Sequence, residues 1–462
     1  MPHLMTPLFA AAAAVLSTAP AHADLGDQLF KLLPDDGAAE NEFGFSVAIS
    51  GSTAIVGARF DDDNDSFSGS AYLFDTTTGQ QLFELLANDG AFLDHFGWSV
   101  AISGAIAIVG APLDNDNGDF SGSAYLFDIT TGAQIAKLLP NDGAAEDFFG
   151  LSVAISSTTA IVGADWDDDN GSASGSAYLF DISDPANPTQ IAKLLPNDGA
   201  TNDFFGYSVA ISGATAIVGA HVDDDNGSGS GSAYLFDTTT GQQIAKLLPN
   251  DGAADDRFGI SVAIIGATAI VGAFLDDDNG DNSGSAYLFD TTTGKQIAKL
   301  LPDDGAADDR FGFSVAITGA TAIVGAYADD DNGDWSGSAY LFDTTTGQQI
   351  AKLLPDDGAA NDFVGSTVAI SGATAIVGAR LDDDNGTNSG SAYLFDAAAP
   401  GKCPWDVNRD SVVNHHDILE VVHNLGLCDD PDNCPWDVNG DGIVNGRDVA
   451  AVATHFGACP KE

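Results

Sequence analysis

The fold is decided by residues 251–301, which read DGAADDRFGISVAIIGATAIVGAFLDDDNGDNSGSAYLFDTTTGKQIAKLL. Near-copies of this block follow one another at a spacing of about 53 residues. A Phe-Gly pair begins at Phe43, Phe96, Phe149, Phe205, Phe258 and Phe311, and Val364-Gly365 replaces it in the seventh copy. Such a period is typical of repeat arrays and propellers, so the repeat, and not the length of 462 residues, sets the architecture.

Each copy contains four short segments with strand character, separated by turn residues. In the fifth copy they are residues 259–264, 268–272, 285–289 and 296–301. The turns Ile265-Gly266 and 291–294 (Thr-Thr-Thr-Gly) provide glycine for positive φ. Four antiparallel strands repeated radially predict the blades of a β-propeller.

The two ends of the array predict how the ring closes. The seventh copy stops after its third strand, residues 391–395, and the missing fourth strand stands at residues 29–33. An N-terminal strand that completes the last blade removes exposed sheet edges. We therefore expect an all-β, seven-bladed propeller of four-stranded blades over residues 24–396.

The repeated dipeptides resemble a known family. Phe-Gly at the start of a blade, with Gly57-Ala58, Gly110-Ala111 and Gly163-Ala164 closing second strands, is similar to FG-GAP repeats. Those repeats build the seven-bladed propeller of integrin α subunits and of many secreted bacterial proteins. The resemblance implies that Phe-Gly and Gly-Ala pack as a structural cage, so we interpret them as scaffold.

Strand order predicts where the acidic loops lie. The loop between strands two and three and the connection to the next blade leave from the same end of the disc. In the fifth copy these segments carry Asp276-Asp277-Asp278 and Asp303-Asp304. We expect one face to be strongly negative and the other to be nearly neutral.

These acidic loops are candidate sites for calcium or another divalent cation. Integrin-type repeats place a D-x-D-x-D-G-x-x-D loop between strands one and two, where this chain has only a tight turn. The candidate ligands are instead Asp61, Asp63, Asp65, Asp114, Asp116, Asp223, Asp225, Asp276 and Asp278. Calcium takes six to eight oxygens, so carbonyls or neighbouring loops would have to complete each site. Formation of Asp/Asn-Gly turns is the alternative interpretation.

After Pro400 the composition changes, and two halves repeat at a spacing of about 31 residues. Each half has oxygen-bearing residues at the spacing of an EF-hand calcium loop. The first set is Asp406, Asn408, Asp410, Val412 (carbonyl), Asn414 and Asp417, and the second is Asp437, Asn439, Asp441, Ile443 (carbonyl), Asn445 and Asp448. Apolar residues 418–423 and 449–455 suit short helices.

Two such loops in tandem resemble a type I dockerin domain. The resemblance implies a small, α-helical, paired EF-hand-like domain over residues 403–462, joined to the propeller by a linker at 397–402. It also implies calcium as the cofactor and a cohesin-like protein as the partner. The partner-contact positions of that family correspond here to His415, His416, Gly446 and Arg447.

All four cysteines, Cys403, Cys428, Cys434 and Cys459, belong to this C-terminal module. A secreted module can keep disulfides. Pairing Cys403–Cys428 and Cys434–Cys459 preserves the duplication, whereas Cys403–Cys459 with Cys428–Cys434 is the alternative.

Composition and the N-terminus predict an extracellular or cell-surface protein. Residues 1–23 have an apolar core and end in Ala-His-Ala, as a signal peptide does. No other segment is long and apolar enough to be a membrane span. The formal charge of −53 argues against nucleic acid as a partner.

A chain built from copies offers few unique residues for catalysis. The non-repeating candidates are His95, His221, Trp166, Trp335 and the insertion at 183–188, and they form no familiar catalytic pattern. We therefore expect a non-enzyme: a secreted, calcium-binding adhesion or binding propeller, with a glycan or cell-surface ligand, tethered through its dockerin-like module. The alternatives are a subunit of a secreted polysaccharide-degrading assembly and a structural surface protein with a cation-bridged acidic face.

Overall fold

The structure, a computed structural model, describes residues 25–398 continuously. In the C-terminal module it describes residues 412–413, 418, 421–422, 426–427, 443–444, 449, 452 and 457–458. The expected signal peptide, residues 1–23, lies outside this part. Among the described residues, no helix has the length and apolarity needed to cross a membrane.

Seven four-stranded sheets form the blades of a propeller. The first strands are β2 (Phe43–Ser50), β6 (Ser99–Ser103), β10 (Ser152–Ser156), β14 (Phe205–Ser212), β18 (Val262–Ile265), β22 (Phe311–Thr318) and β26 (Val364–Ser371). The second strands are β3 (Thr53–Ala58), β7 (Ile106–Ala111), β11 (Thr159–Ala164), β15 (Thr215–Ala220), β19 (Thr268–Ala273), β23 (Thr321–Ala326) and β27 (Thr374–Ala379). The third strands are β4 (Ser70–Asp75), β8 (Ser123–Asp128), β12 (Ser176–Asp181), β16 (Ser232–Asp237), β20 (Ser285–Asp290), β24 (Ser338–Asp343) and β28 (Ser391–Asp396). The fourth strands are β5 (Gln80–Leu85), β9 (Ala133–Leu138), β13 (Thr189–Leu194), β17 (Gln243–Leu247), β21 (Lys295–Leu300), β25 (Gln349–Leu353) and, for the seventh blade, β1 (Gln28–Leu32).

The ring closes through the N-terminal strand, as the sequence predicts. The seventh sheet has the order β1-β28-β27-β26, and β1 runs antiparallel to β28 with Lys31 opposite Tyr393. Around the axis each first strand contacts the next, and β26 contacts β2. The predicted seven-bladed, all-β architecture is confirmed.

The core lies between blades. Seven apolar clusters fill the seven blade interfaces. At the closing interface Phe43 and Val56 of the first blade pack with Ile376 and Leu394 of the seventh, all fully buried. Stability is therefore shared between neighbours, as in other repeat proteins.

The Phe-Gly and Gly-Ala pairs make the closest contacts between blades. Phe205 presents its ring edge-on to Tyr234 and Phe236 of its own blade. Gly206 has φ +95, and a Cβ there would lie 2.2 Å from the carbonyl oxygen of Ser176 in the preceding blade. A Cβ on Gly163 would in turn lie 2.0 Å from the carbonyl oxygen of Gly206. These glycines have a structural role, because backbone atoms of the neighbouring blade occupy the space that a side chain would need.

Two details differ from expectation. The first strand of the fifth blade begins at Val262 and not at residue 259, because its pairing with the second strand starts only at Val262, opposite Val271. The end of the disc that carries the tight turns is not neutral, so that prediction is wrong. An aspartate ends each third strand there, at Asp75, Asp128, Asp181, Asp237, Asp290, Asp343 and Asp396.

The described part of the C-terminal module has two-fold internal pairing. Strand β29 (Val412–Val413) pairs with β32 (Gly457–Ala458), and β30 (Gly426–Leu427) pairs with β31 (Ile443–Val444). Ile418 and Val421 in the first half, and Val449 and Val452 in the second, are helical. Val421 and Val452 are fully buried, which agrees with the two short helices expected here.

Candidate functional site

Both acidic segments of each repeat lie at the same end of the propeller, here named the loop end. There the loop after each second strand contacts the connection to the next blade. Glu146 donates its backbone N–H to the Asp119 carbonyl at 2.8 Å, and Phe149 donates to Ser121 at 3.0 Å. The predicted co-location of the acidic loops is correct.

In six blades these carboxylates surround a lysine. Nζ of Lys137 lies 2.8 Å from Asp89, 2.9 Å from Asp114 and 2.7 Å from Asp116, and above the ring of Tyr125. The Tyr125 hydroxyl donates to Asp114 at 2.8 Å. We call these groups the lysine clusters, and the other five are centred on Lys31, Lys193, Lys246, Lys299 and Lys352.

The clusters keep a largely buried ammonium charged. Burial alone opposes the charge, but hydrogen bonds to Asp116, Asp89 and Asp114 outweigh it and raise the pKa of Lys137. A lysine ammonium thus lies where a metal ion would have to lie in these blades. The expected ligand pairs Asp114 and Asp116, Asp223 and Asp225, and Asp276 and Asp278 each contact it.

In each loop the aspartate or asparagine that follows the first aspartate shapes the backbone. In the second blade Asn115 Oδ1 accepts a hydrogen bond from the N–H of Phe120 at 2.7 Å. Asp114 Oδ1 accepts from the N–H of Asp116 at 3.0 Å. Such local bonds are what Asx turns require, so the turn-forming interpretation holds for these residues.

The first blade breaks the pattern, because Glu84 stands where the others have lysine. Carboxylate oxygens of Asp36, Asp63 and Glu84 lie within 4.8 Å of one another. Asp61 is buried beside them, and its carboxylate accepts from Tyr72 at 3.1 Å. Burial, together with Asp63, raises the pKa of Glu84 to about 8. Asp65 stays outside this group and accepts from the N–H of Ser66.

A second carboxylate next to each lysine cluster is buried. In the fifth blade Asp256 accepts from the N–H of Ala253 at 2.7 Å. Burial raises its pKa to about 6, and the charge of Asp276 adds to this. The first blade has Asn41 at this position, where its amide donates to Asp61 at 2.6 Å.

Asp256→Asn is expected to stabilise the propeller at neutral pH. A carboxyl group whose pKa is higher in the folded protein than its unfolded value near 3.9 lowers the free energy of unfolding at pH values above the folded pKa. It has no such effect at pH values where it is protonated in both states. The free energy of unfolding should rise by about 1–2 kcal/mol at pH 7.5, and the gain should fade as the pH falls from 6 to 4. Denaturant unfolding across this pH range measures it. Asp290→Asn, at an exposed position where hydrogen bonds from Thr292 lower the pKa, should give no gain. A loss of stability in Asp256→Asn at pH 7.5 would contradict the expectation.

The residues after each Phe-Gly (or Val-Gly) pair line a cavity on the propeller axis, at the loop end. The cavity has a volume of about 350 Å³. Its lining includes Phe45, Trp98, Leu151, Tyr207, Ile260, Phe313 and Ser366, with Arg59 and Arg380. Here the copies differ from one another, whereas their strands are nearly identical.

Two arginines, Arg59 and Arg380, line this cavity. The four arginines of residues 25–398 all precede Phe-Gly or follow Gly-Ala: Arg59, Arg257, Arg310 and Arg380. Arg59 bonds Glu42 at 2.8 Å, and its guanidinium lies 3.8 Å from the centre of the Phe45 ring. Burial lowers the pKa of Arg59 to about 10; Glu42 opposes this, and the charge of Arg380 adds to it. Within residues 25–398 Arg380 forms no hydrogen bond or ion pair, and its buried Nε lacks a partner.

A second, more apolar cavity of about 400 Å³ adjoins the first. Both are lined by Arg59, Trp98 and Leu151. The second is completed by Phe60, His95, Pro112, Leu113, Phe148 and Trp166. Trp166 is 46% exposed, so part of this aromatic lining is open to solvent.

The structure gathers most of the non-repeating residues at the loop end. His95 and Trp166 line the second cavity, and His221 packs 4.2 Å from the ring of Tyr207. Trp335 packs against Phe363 farther round the ring. The insertion at 183–188 instead joins β12 to β13 at the opposite end.

Sequence reasoning missed Arg59, Arg380 and Glu84. All three stand out when the seven copies are compared position by position. Glu84 occupies a position at which the other six copies have lysine, and Arg59 and Arg380 occupy the variable position after Gly-Ala.

In the C-terminal module the structure describes only two of the expected calcium ligands, Val412 and Ile443. Both belong to paired strands, β29 and β31, and they occupy equivalent places in the two halves. Every other donor of the two sets is a carboxylate or amide oxygen, which is the chemistry calcium prefers. Those side chains, His415, His416, Gly446, Arg447 and the four cysteines lie outside the described residues.

Comparison with known families agrees with both modules. The FG-GAP repeat model matches residues 27–74, 80–127, 133–180, 188–236, 242–289, 295–342 and 348–395. Each match joins the fourth strand of one blade to the first three strands of the next. The dockerin type I domain model matches residues 404–457, and domains of this type bind calcium in general. No curated protein matches the sequence. The chain belongs to the FG-GAP repeat family and carries a C-terminal dockerin type I domain.

Proposed function

We propose that this chain is a secreted, non-catalytic binding protein whose propeller holds a ligand while its dockerin module attaches it to a cohesin-bearing partner. The observation that carries the proposal is the combination of a closed FG-GAP ring with a dockerin type I domain in one chain. The proposed boundaries are 1–23 for the signal peptide, 24–396 for the propeller, 397–402 for the linker and 403–462 for the dockerin module.

The loop end supports ligand binding. Its axial cavity combines an unpaired guanidinium with aromatic side chains, in a protein that is otherwise strongly acidic. Arginine recognises carboxylates through paired hydrogen bonds, and an aromatic face packs against apolar rings. A sugar ring that bears a carboxylate would satisfy both, so a uronic-acid glycan is the ligand class proposed.

The two histidines of the loop end support a role without imidazole catalysis. Burial lowers the pKa of His95 to about 4, with a contribution from the charge of Arg59. Burial lowers the pKa of His221 to about 3, with a contribution from Arg257. Neither imidazole therefore exchanges a proton near neutral pH, as a general acid or base must.

Calcium is the proposed cofactor of the dockerin module. Asp406, Asn408, Asp410, Asn414 and Asp417, with the Val412 carbonyl, would hold one ion. The duplicated set, Asp437, Asn439, Asp441, Asn445, Asp448 and the Ile443 carbonyl, would hold the other. Because only the folded module presents these oxygens together, calcium would stabilise it.

A subunit of a polysaccharide-degrading assembly is the second candidate, and the dockerin type I match favours it. In this second candidate the assembly to which the dockerin module binds carries out the degradation, and the chain itself remains non-catalytic as in the first candidate. The purified protein should release no reducing sugar from any glycan that it binds. Release by the pure protein would overturn the non-catalytic proposal.

Arg380→Met is expected to weaken binding of uronic-acid glycans at least about tenfold, because it removes a charge-assisted hydrogen bond. A glycan array with neutral and uronic-acid members, probed with the full chain, measures the change. Arg257→Met is the matched control, since Arg257 lies near Asp255 and lines neither cavity. Equal binding by wild type and Arg380→Met, or no glycan binding at all, would contradict the proposed ligand.

A further inference from the structure

The axial cavity has a second buried polar group beside the guanidinium of Arg380. Ser366 lines this cavity and is 7% exposed, and its hydroxyl has no hydrogen-bond partner among residues 25–398. Nε of Arg380 is buried without a partner in the same way. Because a guanidinium and a hydroxyl both donate hydrogen bonds to a carboxylate, these two groups suit the acidic part of a ligand.

The second cavity, by contrast, has no unbalanced charge. Among the residues that line it within the described part of the chain, only Arg59 is charged, and Arg59 bonds Glu42 at 2.8 Å. His95 is neutral at pH 7, because burial lowers its pKa to about 4 and the charge of Arg59 adds to this. A carboxylate in this cavity would lose hydration without gaining a free cation, so the cavity favours an uncharged group.

The lining of the second cavity suits an uncharged sugar ring. Trp166 is 46% exposed, and its ring lies 5.6 Å from that of Phe148, between centroids. His95 is 8% exposed, and neither of its ring nitrogens has a hydrogen-bond partner among residues 25–398. A neutral imidazole has one donor and one acceptor, and a sugar hydroxyl can pair with either. The apolar face of the sugar would pack against the aromatic rings.

We propose that the ligand is a mixed oligosaccharide, whose uronic acid occupies the axial cavity and whose adjacent neutral sugar occupies the second cavity. This inference rests on the proposed binding of uronic-acid glycans and specifies which of them the chain selects. The cavities share Arg59, Trp98 and Leu151, so adjacent units of one glycan can reach both. Their volumes, about 350 and 400 Å³, lie within the range of small-molecule sites. A glycan made only of uronic acid would place a carboxylate in the cavity that lacks a free cation.

A glycan array probed with the full chain tests this selectivity. It carries disaccharides and tetrasaccharides of glucose and glucuronic acid, in α and β linkages, with all-neutral, all-acidic or alternating units. At least one alternating member should bind at least about tenfold more tightly than the all-neutral and all-acidic members of the same linkage. All-acidic members that bind as tightly as the alternating ones would overturn the inference and leave the proposed function standing. Absence of binding by every member that contains glucuronic acid would overturn both.

Trp166→Ala should weaken binding of the alternating member at least about fivefold, because the indole packs against the neutral sugar. Trp166→Phe keeps an aromatic face and should retain most of the affinity. Trp335→Ala is the matched control, since Trp335 is 41% exposed, packs 5.4 Å from the ring of Phe363 and lines neither cavity. It should bind as wild type does. Unchanged binding in Trp166→Ala, or an equal loss in Trp335→Ala, would show that the second cavity does not hold the neutral sugar.

Discussion

Deletion of residues 25–33 is expected to lower the free energy of unfolding of the propeller by about 5 kcal/mol or more. The deletion removes β1, so the seventh blade keeps three strands and β28 becomes an exposed edge. It removes the fully buried Leu32 and the partly buried Leu29 and Phe30 from the closing cluster. It also leaves Asp357, Asp382 and Asp384 without Lys31.

A circular permutant is the matched control for this deletion. It carries residues 25–33 after Asp396, so that the same strand can complete the seventh blade while it is joined to the end of β28. Its unfolding midpoint in denaturant should lie close to that of wild type. The exposed edge in the simple deletion should also promote self-association, visible by light scattering. A deletion variant as stable and as monodisperse as wild type would show that β1 does not close the ring.

Combined replacement of Asp410 and Asp441 by alanine is expected to abolish calcium binding by the dockerin module and, with it, capture by cohesin. Each aspartate holds the fifth position of its loop, so its loss removes a charged ligand from a small set of oxygens. Calcium affinity should fall at least about 100-fold, since metal binding and folding of such a module are coupled. Calorimetry with calcium, followed by a cohesin-binding assay, measures both effects.

Asp432→Ala is the control, because Asp432 lies between the two loops and belongs to neither ligand set. It should bind calcium and cohesin as wild type does. The propeller should melt at the same temperature in the double variant as in wild type. Unchanged calcium binding in the double variant would remove the basis for assigning these loops.

The sequence is sufficient to predict the ring because its signals are local and repeated seven times. Phe-Gly, Gly-Ala and the turn glycines mark each strand end, and residues 29–33 match the missing fourth strand. The first residues of the strands are harder to predict. In the fifth blade the pairing with the second strand starts only at Val262, which no pattern of apolar residues reveals, so the strand starts later than expected.

The lysine clusters could not be predicted from a single block. Lys137 and Asp89 are 48 residues apart, and they meet only because a fourth strand lies beside the connection that precedes its own blade. Considered alone, Asp114 and Asp116 look like half of a metal site. Only the packing of the blade shows that a lysine completes it.

The axial cavity could not be predicted from a single block either. The Phe-Gly pair is repeated and easily recognised, whereas the residue after it, such as Phe45 or Tyr207, varies between copies and lines the axial cavity. Variation between copies is therefore the signal for this face, just as repetition is the signal for the scaffold.

The most direct test uses a surface coated with a panel of type I cohesin domains and the intact chain in solution. With calcium present, at least one cohesin should capture wild type, EDTA should release it, and the captured chain should then bind the uronic-acid glycan selected on the array. Capture should be lost in the Asp410→Ala, Asp441→Ala variant and kept in Arg380→Met. A calcium-loaded wild-type chain that binds none of the cohesins, or that binds equally in EDTA, would contradict the proposal of a dockerin-tethered binding propeller.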